Sequence, residues 1–498
     1  MVTIGPTTRR LLTAAFGCML SMSTLAASID YQVPTIGQPA DTYMSPAEED
    51  KLGRQVVSQL LAHGMILEDV ELNQFLNQLG ARLSTHTSRD ASGFNFYLID
   101  SDQINAFALP GGYIGVNAGL ITETDNESEL AGVMGHEMAH VTQRHIARSI
   151  EATSGMGWAT AAAVLAAAIA GGGDPDAISA AVAAGVTNLG QQQTNYTRAH
   201  EFEADRLGIR TMADSGFDPD AMASFFKKLQ KRSNLYGNQL PEILLSHPVS
   251  NTRMAEAESR ARDYVKSAVR EDADYPLMKE RARVLATRQL STLSRFYQQR
   301  RSSVNGPAPA LDYGYALVLG RLGQYDDAIE LLKPLADRYP TQLPYQLALA
   351  HAYSQGGHTA DARDLLVSIR RQFPDSIAAR LSYAELLVNT GQHAEARRFV
   401  MSDSTLLNRL PQAQELLAQA AGNENNLGEA YYRQARYYQM RGAYPQAINQ
   451  LRTALQTANL NAFDKSRLRA MLTQAVQACH AAWSERECRD QVEEDSRF

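Results

Sequence analysis

The chain carries no run of basic residues. Its formal net charge is −7, with 47 Lys and Arg against 54 Asp and Glu, so nucleic acid is excluded as its main partner. It also lacks a continuous apolar stretch of the roughly 18–20 residues that a membrane-spanning helix needs. The N-terminal candidate, Leu11 to Leu25, is too short. It follows Arg9 and Arg10 and precedes the small residues Ala26, Ala27 and Ser28, and so reads as an export signal over residues 1–27, cleaved after Ala26 or Ala27. Its loss would leave −9, from 45 basic and 54 acidic residues. Cysteine is scarce, with three in all. Cys18 falls inside the signal, where Ala15-Phe-Gly-Cys18 makes a poor lipoprotein site. Cys479 and Cys488 remain for an oxidising compartment to join. Nine residues of straight helix span about 13 Å, beyond disulfide reach, so a bond requires a turn near Trp483-Ser-Glu485. Pro110-Gly-Gly112 is not followed by the Gly-Lys-Ser/Thr of a phosphate loop and reads as a turn.

Histidine is scarce too, at 11 residues, yet two stand four apart in Gly135-His-Glu-Met-Ala-His-Val141. The run Asn126 to Val141 has the marks of a helix: Asn126 as N-cap, Glu129 three residues on, and Leu130, Val133, Met134 and Val141 at helical spacing. On a helix, His136 and His140 share a face and can reach one ion. Glu137 stands beside them as a general base for water on that ion, the arrangement that zinc hydrolysis needs.

Two histidines leave a catalytic zinc one protein ligand short. Gln143 and Ile146 stand where the metzincin pattern needs Gly and His, so that pattern is excluded. His145 is off register and reads as decoration of the helix end. The segment Thr197 to Gly216 reads as an amphipathic helix closed by Gly216. It offers Glu201 as third ligand, with Asp205 one turn on to hold the second nitrogen of a ligand histidine.

His136-Glu-Met-Ala-His140, Glu201-Phe-Glu-Ala-Asp205, Ser246-His-Pro248 followed by Arg253, and upstream Asn105-Ala-Phe-Ala-Leu-Pro-Gly-Gly-Tyr113 together resemble the HtpX-like branch of the gluzincin metallopeptidases, over roughly residues 45–262. The resemblance implies His136, His140 and Glu201 as zinc ligands, Glu137 as catalytic base, and Asp205 as an assisting residue, sometimes described as a proton donor. Three roles stay open for His247: a fourth ligand that displaces water and keeps the enzyme latent, which the resemblance favours; a donor to the oxyanion; or a structural histidine before proline. Arg253 is a candidate for charge stabilisation or for anchoring that loop.

Small strands are expected at Phe94 to Ile99 and Tyr113 to Val116, the second presenting an edge to which extended substrate adds by strand pairing. Ser45-Pro46-Ala-Glu48 is a capping box. Between the two motif helices, residues 156–189 form an Ala-rich insert, expected as a helical hairpin that packs near the site or touches a membrane or partner. The C-terminal half repeats with a period of 34: Gly323, Gly357 and Gly391; Ala328, Ala362 and Ala396; Pro340 and Pro374. This is the tetratricopeptide period. A fourth unit sits at Gly442, Tyr444, Ala447, Leu451 and Ala454, after an irregular stretch from Met401 to Asn426. Helices at 276–300 and 462–482 are expected to flank the array.

The expected fold is therefore mainly α. A gluzincin (zincin) metallopeptidase domain with a small β-sheet occupies residues 28–265, and an α-solenoid of tetratricopeptide repeats with flanking helices occupies 266–498. The resemblance, taken with the repeats, implies a periplasmic zinc endopeptidase whose substrates are misfolded or misassembled outer-membrane proteins, the repeats engaging them or their assembly machinery. The rival reading is a binding or chaperone module with a mostly silent protease.

Overall fold

A capping box opens the first helix, α1 (Pro46–Ala62): the Ser45 hydroxyl accepts from the Glu48 amide, and the Glu48 carboxylate accepts from the Ser45 amide at 2.8 Å. The computed structural model describes residues 44–87, 93–152, 190–236, 241–264, 271–457 and 460–482, with Val269 and Cys488. The expected export signal and the 156–189 insert lie outside the described residues. Among the described residues no helix is long and apolar enough to cross a membrane.

After α2 (Val70–Ser84) come three strands, β1 (Asn95–Ile99), β2 (Ala106–Leu109) and β3 (Tyr113–Asn117), the last two joined by a turn at Pro110–Gly112. They form one sheet in the order β1-β3-β2, with β1 parallel and β2 antiparallel to β3. This corrects one expectation. The strand at Tyr113 is the central one, buried at every position, and the edges are β1 and β2, of which the sequence reading did not assign β2 as a strand. The cause is pairing at a distance: both faces and both ladders of β3 are covered, which agrees with its apolar sequence.

A short α3 (Ala118–Glu123) leads to α4 (Glu127–Thr142), whose N-cap is Asn126, accepting from the Glu129 amide at 2.9 Å. The Glu129 carboxylate reaches past the cap to the Asp125 amide and to Lys228 Nζ. Next are α5 (His145–Ala152), α6 (Gly190–Asp214), α7 (Asp220–Tyr236), α8 (Glu242–Ser246) and α9 (Asn251–Ala261). α4 and α6 cross at Gly135 and Gly208. A methyl group on Gly208 would stand 2.9 Å from the His136 amide nitrogen, so only glycine permits this approach.

Among the described residues the C-terminal half contains helices and no strand. Pro309–Arg321 pairs with Tyr325–Arg338, Leu343–Gln355 with Thr359–Gln372, and Ile377–Asn389 with His393–Ser402. Gly323, Gly357, Gly391 and Gly442 all adopt positive φ, 67–83°, in the turns between paired helices, which explains the period read from them. Ala328, Ala362 and Ala396 are buried where the helices meet. The irregular stretch contains Ser404–Arg409 and Pro411–Asn423, and the flanking helices are Tyr275–Ala286, Leu290–Ser303 and Ala462–Ala482. Cys479, in the last turn of Ala462–Ala482, is joined to Cys488 in a disulfide.

One hydrophobic core runs from Leu72 and Phe75 through the sheet and α4 to Tyr275, Tyr313, Leu332 and Tyr345. It crosses residue 265 without a break. Polar contacts reinforce the junction at the start of α2. Asp69 takes a bidentate bond from Arg281 at 2.7 and 2.8 Å, Glu71 pairs with Arg281 at 2.9 Å, and Glu68 pairs with Arg441 at 2.8 Å. Beside it lies a cavity of about 500 Å³, lined from both halves by Glu71, Arg281, His351, Ser382 and Glu385 among others.

Candidate metal centre

The spacing of His136 and His140 on α4 brings their Nε2 atoms to 3.0 Å from one another. The α4–α6 crossing then carries Glu201 under them: its carboxylate oxygens lie 3.5 Å from His136 Nε2 and 3.4 Å from His140 Nε2. His247, at the end of α8, points Nδ1 into the same space, 3.3 Å from His136 Nε2 and 3.0 Å from Glu201. One donor atom from each of these four residues lies within 4.8 Å of all the others. A tetrahedral ion with bonds near 2.1 Å separates its ligand atoms by about 3.4 Å, so the 3.0–3.5 Å spacing fits such an ion.

The surroundings fix which nitrogens face inward. Asp205 Oδ1 lies 2.9 Å from His136 Nδ1, which keeps the proton there and turns the Nε2 lone pair to the centre. Asp205 is itself gripped by Arg253 through two bonds of 2.7 Å, and Arg253 also reaches Glu201 at 2.8 Å and the Pro248 carbonyl at 2.9 Å. The arginine thus ties the His247 loop to α6. Burial opposes charge on His136, but Asp205 and Glu201 outweigh it and raise its pKa to about 10. Burial likewise acts to raise Glu201, yet His247, His136 and His140 hold its carboxylate well below the usual range. Such a field stabilises a cation held among these donors.

The sequence pattern of peptidase family M48 matches residues 71–261, and that of the tetratricopeptide repeat matches 321–376 and 357–402. The chain is 32% identical over 451 residues to the β-barrel assembly-enhancing protease of Escherichia coli K12, an alignment covering 89% of this chain and 91% of that one. It is 35% identical over 321 residues to a putative β-barrel assembly-enhancing protease of Vibrio cholerae, 64% of this chain and 66% of the relative. The metalloprotease LoiP of Escherichia coli is 31% identical over 169 residues, 33% of this chain and 62% of LoiP. The chain belongs to peptidase family M48. It is a metalloprotease with C-terminal tetratricopeptide repeats.

In this M48 peptidase Glu137 is 1% exposed and sits beside the donor cluster, 3.5 Å from His247 Nε2. Burial raises its pKa above the usual carboxyl value, and the Ala108 amide on β2 partly opposes that. Burial acts to raise Asp205 too, but His136 and Arg253 overcome it, so that carboxyl is held low and ionised. This geometry suits an orienting role better than proton donation.

His145 departs from the expectation of a helix-end decoration. It is buried, its Nδ1 lies 2.8 Å from His140 Nδ1, and its Nε2 lies 3.1 Å from Glu203 Oε2. The chain reverses between α4 and α5 at Arg144, a non-glycine residue with φ 54°. That conformation costs on the order of 1–2 kcal/mol, offset by an ion pair to Glu49 at 3.0 Å and a bond to the Met44 carbonyl. His145 stays outside the donor cluster, but this turn, which no sequence signal marks, brings it behind His140.

Proposed function

We propose that the chain is a periplasmic zinc endopeptidase that acts on misassembled outer-membrane β-barrel proteins, with its repeats engaging those substrates or their assembly machinery. The observation that carries the enzymatic part is the convergence of two imidazoles from one helix with the Glu201 carboxylate from another. Nitrogen-rich, four-donor tetrahedral geometry suits zinc, whereas calcium and magnesium take oxygen. The printed names of the two β-barrel assembly-enhancing relatives support the substrate class. The Cys479–Cys488 bond supports an oxidising compartment.

His136, His140 and Glu201 would hold the ion, which when bound polarises the peptide carbonyl and acidifies water. Glu137 takes the proton of the attacking water and returns it to the leaving amine. Its burial raises its affinity for that proton. Asp205 keeps His136 in one tautomer, and Arg253 holds Asp205 and the His247 loop. β2 is an edge strand beside Glu137, whose carboxylate accepts from the Ala108 amide, and it is the edge proposed for extended substrate backbone.

His247 brings a fourth donor nitrogen into the cluster, which supports the latch reading, in which it would take the place of a bound water. The tetratricopeptide repeats support a second mode, in which the chain holds a client without cutting it.

The test is zinc analysis of the purified chain with an unfolded-protein cleavage assay before and after chelation, repeated on His247→Ala. We expect one zinc per chain, cleavage lost on chelation and restored by zinc, and faster cleavage by His247→Ala with zinc retained. A chain that binds no metal overturns the enzyme reading, and slower cleavage by a zinc-loaded His247→Ala chain overturns the latch.

A further inference from the structure

His136 and His140 reach the same centre, yet behind them they are supported differently. His136 meets a carboxylate directly, Asp205 at 2.9 Å. His140 meets another imidazole, His145, at 2.8 Å, and only beyond it a carboxylate, Glu203 at 3.1 Å, which Arg148 also approaches at 3.4 Å. His145 is held in its plane by the ring of His200, stacked at 4.0 Å and 10°. All of these side chains come from three neighbouring pieces of chain: α4, the start of α5 beyond the Arg144 turn, and the His200–Asp205 stretch of α6.

The hydrogen positions follow from one fact. If His140 offers its Nε2 lone pair to an ion, its Nδ1 carries the hydrogen. That hydrogen faces His145 Nδ1, which must then be the acceptor. A neutral His145 with a free Nδ1 lone pair carries its hydrogen on Nε2, the atom that faces Glu203. Donor meets acceptor at each step, and Glu203 closes the chain as a pure acceptor. The opposite assignment would put a hydrogen on His140 Nε2, 3.0 Å from His136 Nε2.

We infer that His145 and Glu203 are positioning residues for His140: they fix its tautomer and ring orientation through a carboxylate–imidazole–imidazole series, as Asp205 does for His136 in a single step. The inference rests on the metal reading of His140. It assigns the two carboxylates that follow Glu201 on α6, Glu203 and Asp205, one to each ligand histidine. Glu201 itself serves the ion. Glu201 and Asp205, four apart, share one face of the helix, while Glu203 leaves from another and meets His145 beyond the Arg144 turn. Residues of this kind govern metal retention more than fold, and their loss typically costs 10–100-fold in metal affinity.

The test measures zinc affinity of the full-length chain by competition with a chromogenic chelator. His145→Phe keeps a planar ring against His200 but offers no acceptor, and should bind zinc 10–100-fold more weakly. His145→Asn places an amide oxygen close to the position of Nδ1 and should recover affinity to within a few-fold of wild type. Glu203→Gln, which still accepts but carries no charge, should fall between wild type and His145→Phe. Unchanged affinity in a folded His145→Phe chain overturns the inference, and so do equal losses in the Phe and Asn variants. A wild-type chain that takes up no zinc overturns the metal reading itself. A measurement without any variant covers the case in which His145→Phe does not fold: nitrogen chemical shifts of the histidine rings in the zinc-loaded wild-type chain. Hydrogen on His145 Nε2 and on His140 Nδ1 is expected, and hydrogen on His145 Nδ1 overturns the assignment.

Discussion

Around the metal centre, position is set by charge. Arg253 alone makes four contacts of 2.7–2.9 Å, to Asp205, Glu201 and the Pro248 carbonyl. In the repeats, position is set by size. Ala328, Ala362 and Ala396 carry no polar group at all and are buried simply because a methyl is what fits between paired helices. The contrast separates two kinds of failure. A change at the centre should remove chemistry and leave the fold, whereas a change in the repeats should loosen the fold and leave the chemistry of each folded molecule intact.

The strongest way to break that contrast is Glu137→Gln. The side chain is nearly isosteric, so the melting temperature and bound metal should hold, while cleavage falls by about 10²–10⁴, the usual share of a general base. A matching loss of stability would show that the centre also holds up the fold. On the other side, Ala362→Leu overfills a site with no exposed surface. It should cost about 1–3 kcal/mol in denaturant unfolding, with the cleavage rate per folded molecule unchanged.

The smallest effect sharpens the comparison through pH. Glu385, in the cavity between the halves, has no cationic partner among the described residues, and burial with the nearby Glu415 raises its pKa from 4.5 to about 7. Between pH 4.5 and 7 the folded chain therefore keeps a proton that the unfolded chain has released. Stability falls as pH rises through that window and stays at the lower value above it. The loss is on the order of 1–3 kcal/mol. Glu385→Gln should flatten this slope in melts across pH 4.5–8, and an unaltered slope would assign it to another group.

What could be read from the sequence follows the same division. His136, Glu137 and His140 were legible because one helix sets their geometry, and helical spacing is local. The repeats were legible because Gly323, Gly357 and Gly391 recur at a fixed interval. Glu201 and Asp205 were reached through chemistry, since two histidines require a further ligand. What escaped depends on contacts far apart in the chain or on a single unusual dihedral. Nothing in Tyr113–Asn117 tells that β1 and β2 will both pair with it, so the edge was placed on the wrong strand. Nothing around Arg144 announces a left-handed turn, so His145 was dismissed. The crossing at Gly135 and Gly208 is visible only when both helices are present, and so is the core that continues past the boundary at 265, which was drawn where the family resemblance ends and the repeat-bearing half begins.

That unbroken apolar interior limits how the molecule can work. With Tyr275, Tyr313 and Tyr345 in the same oily mass as Leu72 and Met134, the catalytic half and the repeats cannot swing apart as separate bodies without wetting that mass. Nor can the protease be cut loose as an independent fragment, because a chain ending near residue 300 would leave a greasy wound where its other half had been.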